Sequence, residues 1–326
     1  SRPRPFAAQR CVRCLSRDHG RGVNAPRTVP LSSPPFAVGM VVTGLVCQEL
    51  GASLAVLLFP ALGPLGIVFL RLGFSAVILM IIARPSLRGH TPAAWRSVIG
   101  FGLVLALMNC LFYLALARLP LGVTVTIEVL GPLVLSVIAA RRASAWLWAG
   151  LALVGVIALA GGGWDRLDPL GVLFALGAAS SWALYILASA RVGREFPRLD
   201  GLALAMVVGA LAALPWGLIA AGGALVRVDL LALGAAVAVL SSTIPYALEL
   251  LALRRLAASA FAILMSLAPA TATLAGWLLL GQGMTWLEIV GVALVIAASI
   301  GAVRAASART TTGAHGPDVA PAEPLP

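Results

Sequence analysis

The chain has 326 residues, of which 60% are hydrophobic and only 11% are charged, whereas soluble domains average about 25% charged residues. This composition excludes an ordinary soluble domain and predicts a polytopic membrane protein. A net charge of +11 would suggest nucleic-acid binding in a soluble protein. Here every basic residue is an arginine, and most of them lie between the apolar segments or in the tails. That distribution is typical of membrane topology, so no nucleic-acid partner is expected.

Ten apolar segments are predicted to cross the bilayer as helices, because each is long enough to span about 30 Å of hydrocarbon. The expected fold class is therefore an all-α membrane protein. The predicted spans cover residues 36–59, 65–83, 95–117, 121–140, 145–163, 169–190, 199–221, 229–253, 257–280 and 285–303.

The N-terminal tail over residues 1–35 is basic and proline-rich, and it is predicted to be disordered. Cys11 and Cys14 form a C-x-x-C pair with His19 nearby, which would be half of a zinc site. Structural zinc sites need a second pair of ligands. We therefore expect reduced thiols and no metal. The polar segment over residues 305–326 is predicted to be a second disordered tail.

The connections between the spans alternate in arginine content. Arg141, Arg142, Arg254 and Arg255 lie in arginine-rich connections, whereas the other connections hold single arginines such as Arg118. By the positive-inside rule, this alternation predicts that both termini are cytoplasmic, in a multi-pass protein of the cytoplasmic (inner) membrane.

A shift of 137 residues aligns the second half of the chain with the first. It superposes Arg118 on Arg255 and Pro132 on Pro269. The predicted repeats cover residues 36–163 and 164–304. Five spans in each make the second repeat inverted relative to the first, as in many secondary transporters. The alternative is a chance alignment of two sequences rich in Leu and Ala.

Glu128 is the outstanding candidate functional residue. It lies in an apolar span four residues before Pro132, and a proline cannot donate to the carbonyl four residues before it. An acid and an unused carbonyl are not tolerated facing lipid, so this face should line a protein cavity. Glu128 would exchange a proton or bind a substrate ammonium group.

Glu49 and Arg71 also lie within spans, at a depth similar to that of Glu128. The functional interpretation is that Arg71 attracts a substrate carboxylate or keeps an acid ionised. The structural alternative is an ion pair between Arg71 and a glutamate that fixes helix packing.

The motif PYALE places Pro245, Tyr246 and Glu249 together near the end of a span. Glu249 is either functional or an interfacial acid, while Glu288 is interpreted as interfacial. The polar and aromatic residues Asn109, Tyr113, Trp182 and Tyr185 are further candidates for the pathway, and the alternative is packing. Helix breaks or hinges are expected at Pro132, Pro245 and Pro269.

The sequence lacks the motifs of nucleotide-binding proteins and of serine hydrolases. There is no G-x-x-x-x-G-K-[ST] motif, no G-x-S-x-G motif, and only three His in the chain. We therefore expect neither an enzyme nor a cofactor. A lipid-head-group enzyme or a scaffold is the alternative from another class.

Several segments resemble the drug/metabolite transporter superfamily built from two EamA domains, and within it the bacterial inner-membrane exporters of threonine and homoserine. They are GASLA (51–55), MNCLFYLAL (108–116), PLGVTVTIEVLGPL (120–133), WALYIL (182–187) and PYALELLAL (245–253). The resemblance implies ten helices in two inverted repeats and efflux of small amphiphilic solutes driven by proton exchange. Glu128, Tyr246 and Glu249 carry over by position. Ala268, Gln282 and Glu49 depart from the family pattern.

The predicted function is secondary active export of small amino acids such as threonine and homoserine, or of related metabolites, by proton antiport and alternating access. The alternative on the same fold is a broad drug or metabolite exporter. The expected partners are a small-molecule substrate, protons, the lipid bilayer and a second copy of the chain in a homodimer.

Overall fold

The computed structural model describes residues 34–140, 143–159, 167–253, 255–256 and 258–312, and its regular elements in these ranges are all helical. The α-helices are α1 (Pro34–Ala83), α2 (Pro92–Leu116), α3 (Leu121–Glu128), α4 (Leu130–Ala140), α5 (Ala143–Leu159), α6 (Pro169–Glu195), α7 (Asp200–Ala221), α8 (Val228–Ala238), α9 (Ile244–Leu253), α10 (Ala258–Met265), α11 (Ala268–Leu280) and α12 (Trp286–Thr312). A short 3₁₀ helix (Gly222–Val226) precedes α8, and a π-helix (Val239–Thr243) joins α8 to α9.

The predicted tails are described only at their edges. Cys11, Cys14 and His19 lie outside the described residues, as do Arg141, Arg142 and Arg254. At the other end, α12 continues to Thr312 and so extends into the stretch predicted as a disordered tail from residue 305. The sequence Arg-Ala-Ala-Ser-Ala-Arg there contains residues that favour a helix, which explains the extension.

Seven of the described helices are long and apolar enough to cross a membrane, as judged by length and composition. The longest, Phe36–Ala83, holds the first two predicted spans. Its helical geometry is interrupted at Gly63, where φ is 66° and ψ is 161°, between Pro60 and Pro64. This backbone conformation is essentially confined to glycine, so Gly63 divides α1 into two segments. Two further apolar helices, Leu121–Leu135 and Trp146–Leu159, are shorter.

The bounds of several helices match at the 137-residue offset. Moving α3 by 137 residues gives 258–265, which are the bounds of α10. Moving α2 gives 229–253, which is the stretch from α8 through α9 apart from its first residue. The two halves of the chain therefore divide into helices at equivalent positions.

The two halves pack through pairs of helices, one from each half. The main pairs are α1 with α7, α2 with α6, α3 with α11, and α5 with α12, and α1 also packs along the π-helix and α9. Small residues allow close approach at one further contact, where a Cβ on Gly131 of α4 would overlap the Ala179 carbonyl of α6. This interlocking leaves a cavity between the halves.

Candidate functional site

A cavity of about 460 Å³ lies between the two halves of the chain. It brings together acids, one arginine, amides, hydroxyls and aromatic rings from both halves. Its polar and aromatic lining consists of Gln48, Glu49, Arg71, Asn109, Phe112, Glu128, Trp182, Tyr185, Ser189, Ser241, Tyr246, Glu249, Phe261, Ser266 and Ser299. Its volume falls in the range of small-molecule sites.

Many of the lining residues form pairs in which the two positions, one from each half of the chain, are 137 residues apart. In seven pairs both members line the cavity. The pairs are Gln48 with Tyr185, Glu49 with Ile186, Ala52 with Ser189, Asn109 with Tyr246, Phe112 with Glu249, Glu128 with Met265, and Val129 with Ser266. Equivalent backbone positions of the two halves therefore surround the same space, although they carry different chemical groups.

Arg71 is the buried cation of this cavity, with 7% of its surface exposed. Its Nε donates to the Ser242 hydroxyl at 2.7 Å, and its Nη2 donates to the Ser241 carbonyl at 2.7 Å. Pro245, four residues after Ser241, has no N–H to donate to that carbonyl. The proline and the π-helix thus leave an acceptor in the second half that the first half's arginine binds.

Tyr113 is the third residue that contacts Arg71 through a hydrogen bond. Arg71 Nη1 donates to the Tyr113 hydroxyl at 3.3 Å, and its Cζ lies 5.5 Å from the centre of the Tyr113 ring. Tyr113 is fully buried and does not itself line the cavity, although it was predicted as a pathway residue.

The ion pair between Arg71 and a glutamate, which was the structural alternative for this arginine, does not form among the described residues. None of the ion pairs within the described ranges includes Arg71, and the acceptors it contacts are neutral. Only three of the five N–H groups of a guanidinium are used by these acceptors. The charge of Arg71 is therefore held in place without being neutralised by a bonded acid, because hydroxyl and carbonyl dipoles replace the lost water.

Glu49 is a buried acid without a hydrogen-bond partner. It is 2% exposed, and in the described part of the chain neither carboxylate oxygen has a partner. Its charge and that of Glu128 lie within electrostatic reach of each other and of Arg71. A buried carboxylate without bonds is costly, so Glu49 requires a proton or a cation.

Glu128 is the last residue of α3, and Val129 separates α3 from α4. Pro132 lines the cavity in the first turn of α4. At the equivalent break in the second half, Pro269 lies at the start of α11, outside the lining. In each half the helix therefore breaks two or three residues before the proline, and the role of these prolines as hinges stays a prediction.

The remaining predicted residues lie on two helices of the second half and on α2. Tyr246 and Glu249 project from α9 after the π-helix, while Trp182 and Tyr185 belong to α6. The Nδ2 group of Asn109 donates to the Leu105 carbonyl of its own helix at 2.8 Å. Pro245 is outside the lining.

Sequence reasoning missed several lining residues, among them Gln48, Ser189, Ser241 and Ser266. The sequence holds a signal for two of them. The 137-residue offset relates Gln48 to Tyr185, and Ser241 stands four residues before Pro245. Gln282, one of the departures from the family pattern, lies at the edge of α3, where its Oε1 accepts the Leu121 N–H at 2.9 Å.

Glu288 lies outside the cavity and is half-buried, and its interpretation as an interfacial acid stays a prediction. Its carboxylate accepts the Thr285 N–H at 2.6 Å, at the start of α12. In the part of the chain that the structure describes, no group of three or more His, Cys, Asp or Glu is arranged to hold a metal ion.

Away from the cavity, Arg118 and Asp168 form an ion pair of 2.7 Å that links the end of α2 to the start of α6. The hydrogen bond from Arg118 lowers the pKa of Asp168 below its ordinary value, and the N–H groups of Leu170 and Gly171 act in the same direction. The equivalent arginine of the second half, Arg255, lies 5.5 Å from the ring of Phe36.

Comparisons with known proteins agree with this architecture. The model of the EamA-like transporter family matches residues 169–304. The threonine/homoserine exporter RhtA of Salmonella typhimurium (strain LT2) is 39% identical over 253 residues, which cover 77% of this chain and 85% of that protein. RhtA of Escherichia coli (strain K12) is 38% identical over the same shares.

One solved crystal structure covers 85% of this chain and 99% of its own, with a TM-score of 0.57 and 18% identity, which supports the fold alone. The relatives are transporters, so the expectation that the chain is not an enzyme is confirmed. The chain is a multi-pass membrane protein that belongs to the EamA-like transporter family.

Proposed function

We propose that this protein is a secondary transporter of the cytoplasmic membrane that exports small amino acids such as threonine and homoserine, or related metabolites. The observation that carries the proposal is the cavity between the two halves, where Arg71 is charged but bonded only to neutral groups and where three carboxylates face the same space. Both relatives are threonine/homoserine exporters, which supports this choice of substrate.

The proposed topology has ten spans in two inverted repeats over residues 36–163 and 164–304, with both termini cytoplasmic. The matched helix bounds, the pairing of lining residues and the break of α1 at Gly63 support the repeat. The alternation of arginines supports the orientation. In such an arrangement the repeats rock around a central site, and the breaks at Pro132, Pro245 and Pro269 supply the hinges.

Within the cavity, the unused N–H groups of Arg71 bind the substrate carboxylate, and Glu128 binds the substrate ammonium group. Tyr246 and Glu249 contribute to the lining from the second half of the chain, and Trp182 and Tyr185 enclose the apolar part of the solute. A zwitterion carries both charges, so it satisfies the arginine and one acid together. This match favours amino acids over anions or simple amines.

Proton antiport follows if Glu128 holds a proton when no substrate is bound. Substrate ammonium and a proton then compete for one carboxylate, so the empty carrier returns only when protonated. Release of the proton on the cytoplasmic side makes the carboxylate available to the next substrate. Alternating access and this competition together couple export to the proton gradient.

The test is transport by purified protein in liposomes. An acidic interior should drive accumulation of labelled homoserine, and exchange of labelled for unlabelled homoserine should occur without a gradient. Glu128→Gln should abolish the gradient-driven accumulation, whereas Glu288→Gln, outside the cavity, should not. Accumulation by Glu128→Gln at the wild-type rate would refute the coupling role.

A broad drug or metabolite exporter is the second candidate, because much of the lining is apolar or aromatic. Phe112, Trp182, Tyr185 and Phe261 all face the cavity. In that case aromatic cations would compete with homoserine in the exchange assay and would be exported on their own. A homodimer stays a prediction, to be checked by the mass of the purified protein in detergent.

A further inference from the structure

The cavity holds more acids than one zwitterionic amino acid can satisfy. Its described lining contains three acids, Glu49, Glu128 and Glu249, and one arginine, Arg71. A bound zwitterion would pair its carboxylate with Arg71 and its ammonium group with one acid. Two carboxylates would then remain without a partner of opposite charge.

Glu49 is the acid whose environment most needs a cation. Both of its oxygens are buried and lack hydrogen-bond partners within the described ranges, and it is 2% exposed. Arg71 lies within electrostatic reach, but its three bonds go to Ser241, Ser242 and Tyr113. No group in the described part of the protein therefore pairs directly with the charge of Glu49.

Glu49 and Glu128 both come from the first half of the chain and line the same cavity. Each lies within electrostatic reach of the other and of Arg71. A solute with two ammonium groups would place one beside each carboxylate while its own carboxylate met Arg71. The charges of the solute and these three side chains would then balance, which neither a zwitterion nor a simple diamine achieves.

We propose that Glu49 forms a second cation subsite, by which the cavity accepts short diamino acids as well as neutral amino acids. This inference rests on the proposed function, because it assigns a further substrate class to the same site. The discriminating feature is the second ammonium group, since a hydroxyl in its place would leave Glu49 uncompensated.

The probe is 2,4-diaminobutyrate, which has the carbon skeleton of homoserine with a terminal ammonium group in place of the hydroxyl. Liposomes with purified full-length protein are loaded with unlabelled homoserine, and uptake of labelled homoserine is measured against rising external diaminobutyrate or unlabelled homoserine. The readout is the ratio of the two half-inhibitory concentrations. A parallel experiment measures exchange of labelled diaminobutyrate directly.

Wild-type protein should be inhibited by diaminobutyrate at least as well as by homoserine. Glu49→Gln should shift the ratio against diaminobutyrate by about tenfold or more, because a buried charge pair is lost for this solute alone. Glu49→Asp, which keeps the charge, should preserve part of the preference. Glu288→Gln serves as the control for loss of an acid outside the cavity.

Three outcomes would overturn the subsite. The first is that wild-type protein exchanges homoserine but is not inhibited by diaminobutyrate. The second is that the ratio of half-inhibitory concentrations is unchanged in Glu49→Gln. The third is that Glu49→Gln loses transport of both solutes equally while it still elutes normally in gel filtration. If homoserine is not exchanged at all, the proposed function fails. The direct diaminobutyrate exchange then decides the subsite on its own: exchange that Glu49→Gln removes would support it, and no exchange would overturn it.

Discussion

The two broken helix pairs of this protein have the same backbone plan and different chemistry. The first pair, α3 and α4, breaks at Val129, and the second, α10 and α11, breaks at the equivalent Ser266 and the following Leu267. Each pair has a proline at the same offset, Pro132 or Pro269. Yet the residue before the break is a carboxylate, Glu128, in the first pair and a thioether, Met265, in the second, and both line the cavity.

The comparison separates what the fold needs from what transport needs. A break at the same place in both halves, with or without an acid, indicates that the prolines and the break belong to the architecture. The charge at the break, by contrast, is present in the first half only. In the first half Glu49, Arg71 and Glu128 line the cavity, whereas the second half contributes Glu249. In the proposed rocking cycle, each state would therefore present the substrate with different surroundings.

The largest effect should come from removing the charge that distinguishes the two breaks. Glu128→Gln should lower homoserine exchange by about 30-fold or more, because a buried carboxylate that pairs with a substrate cation contributes roughly 2 to 5 kcal/mol. The matched Met265→Gln should lose far less. Equal losses in the two variants, measured as initial rates in liposomes, would show that the breaks and not the carboxylate determine activity.

A smaller loss of transport is expected when Arg71, which bonds to residues of the second half, is replaced. Arg71→Lys keeps a positive charge but cannot reproduce the planar fork that reaches Ser241, Ser242 and Tyr113 together. The half-saturating homoserine concentration should rise by roughly tenfold, since one or two hydrogen bonds from a charged group are lost. Exchange rates over a range of homoserine concentrations measure this. An unchanged half-saturating homoserine concentration would show that Arg71 does not bind the substrate.

The two breaks also differ one residue beyond Leu130 and Leu267, where the first half has Gly131 and the second has Ala268. A Cβ on Gly131 would overlap the Ala179 carbonyl, so Gly131→Ala should destabilise the protein by about 1 to 3 kcal/mol. Gly150→Ala is the control, because a Cβ there meets no atom within 4 Å. Thermal unfolding in detergent compares them, and equal midpoints would contradict the packing at α4 and α6.

The smallest effect is expected outside the cavity, at the exposed pair of Arg118 and Asp168. The pKa of Asp168 is lowered in the folded protein, so the pair contributes stability at neutral pH, above the ordinary carboxyl pKa. That contribution is lost as the pH falls through the lowered pKa. Asp168→Asn should therefore lower the unfolding midpoint slightly at pH 7 and not at all at strongly acidic pH. A difference that grows on acidification would contradict this linkage.

The acids and arginine of the cavity were predictable because charged residues inside apolar spans are costly and stand out from their surroundings. Their grouping around one space was also foreseeable for Glu128 and Arg71, from their similar depth. The partners of Arg71 were not, since its bonds to Ser241 and Ser242 depend on a π-helix in the other half and on how the two halves pack. No local pattern in the sequence specifies that contact.

The junction between the first two predicted spans is shorter than the hydropathy suggests. The hydropathy predicts a span over residues 36–59 and another over residues 65–83, and α1 consists of two helical segments that meet at Gly63 without an intervening loop. The prolines on either side were visible in the sequence. That the chain stays helical up to a single glycine is a property of the packed structure, because Pro60 and Pro64 alone suggest a longer loop.

The most direct test of the account is accumulation of labelled homoserine in liposomes with an acidic interior, for the wild-type protein and Glu128→Gln side by side. The account predicts accumulation above the external concentration for the wild type, its collapse when the pH gradient is dissipated, and none for Glu128→Gln at equal protein content. Accumulation that persists in Glu128→Gln, or its absence in a wild-type protein that exchanges homoserine, would contradict proton-coupled export through this cavity.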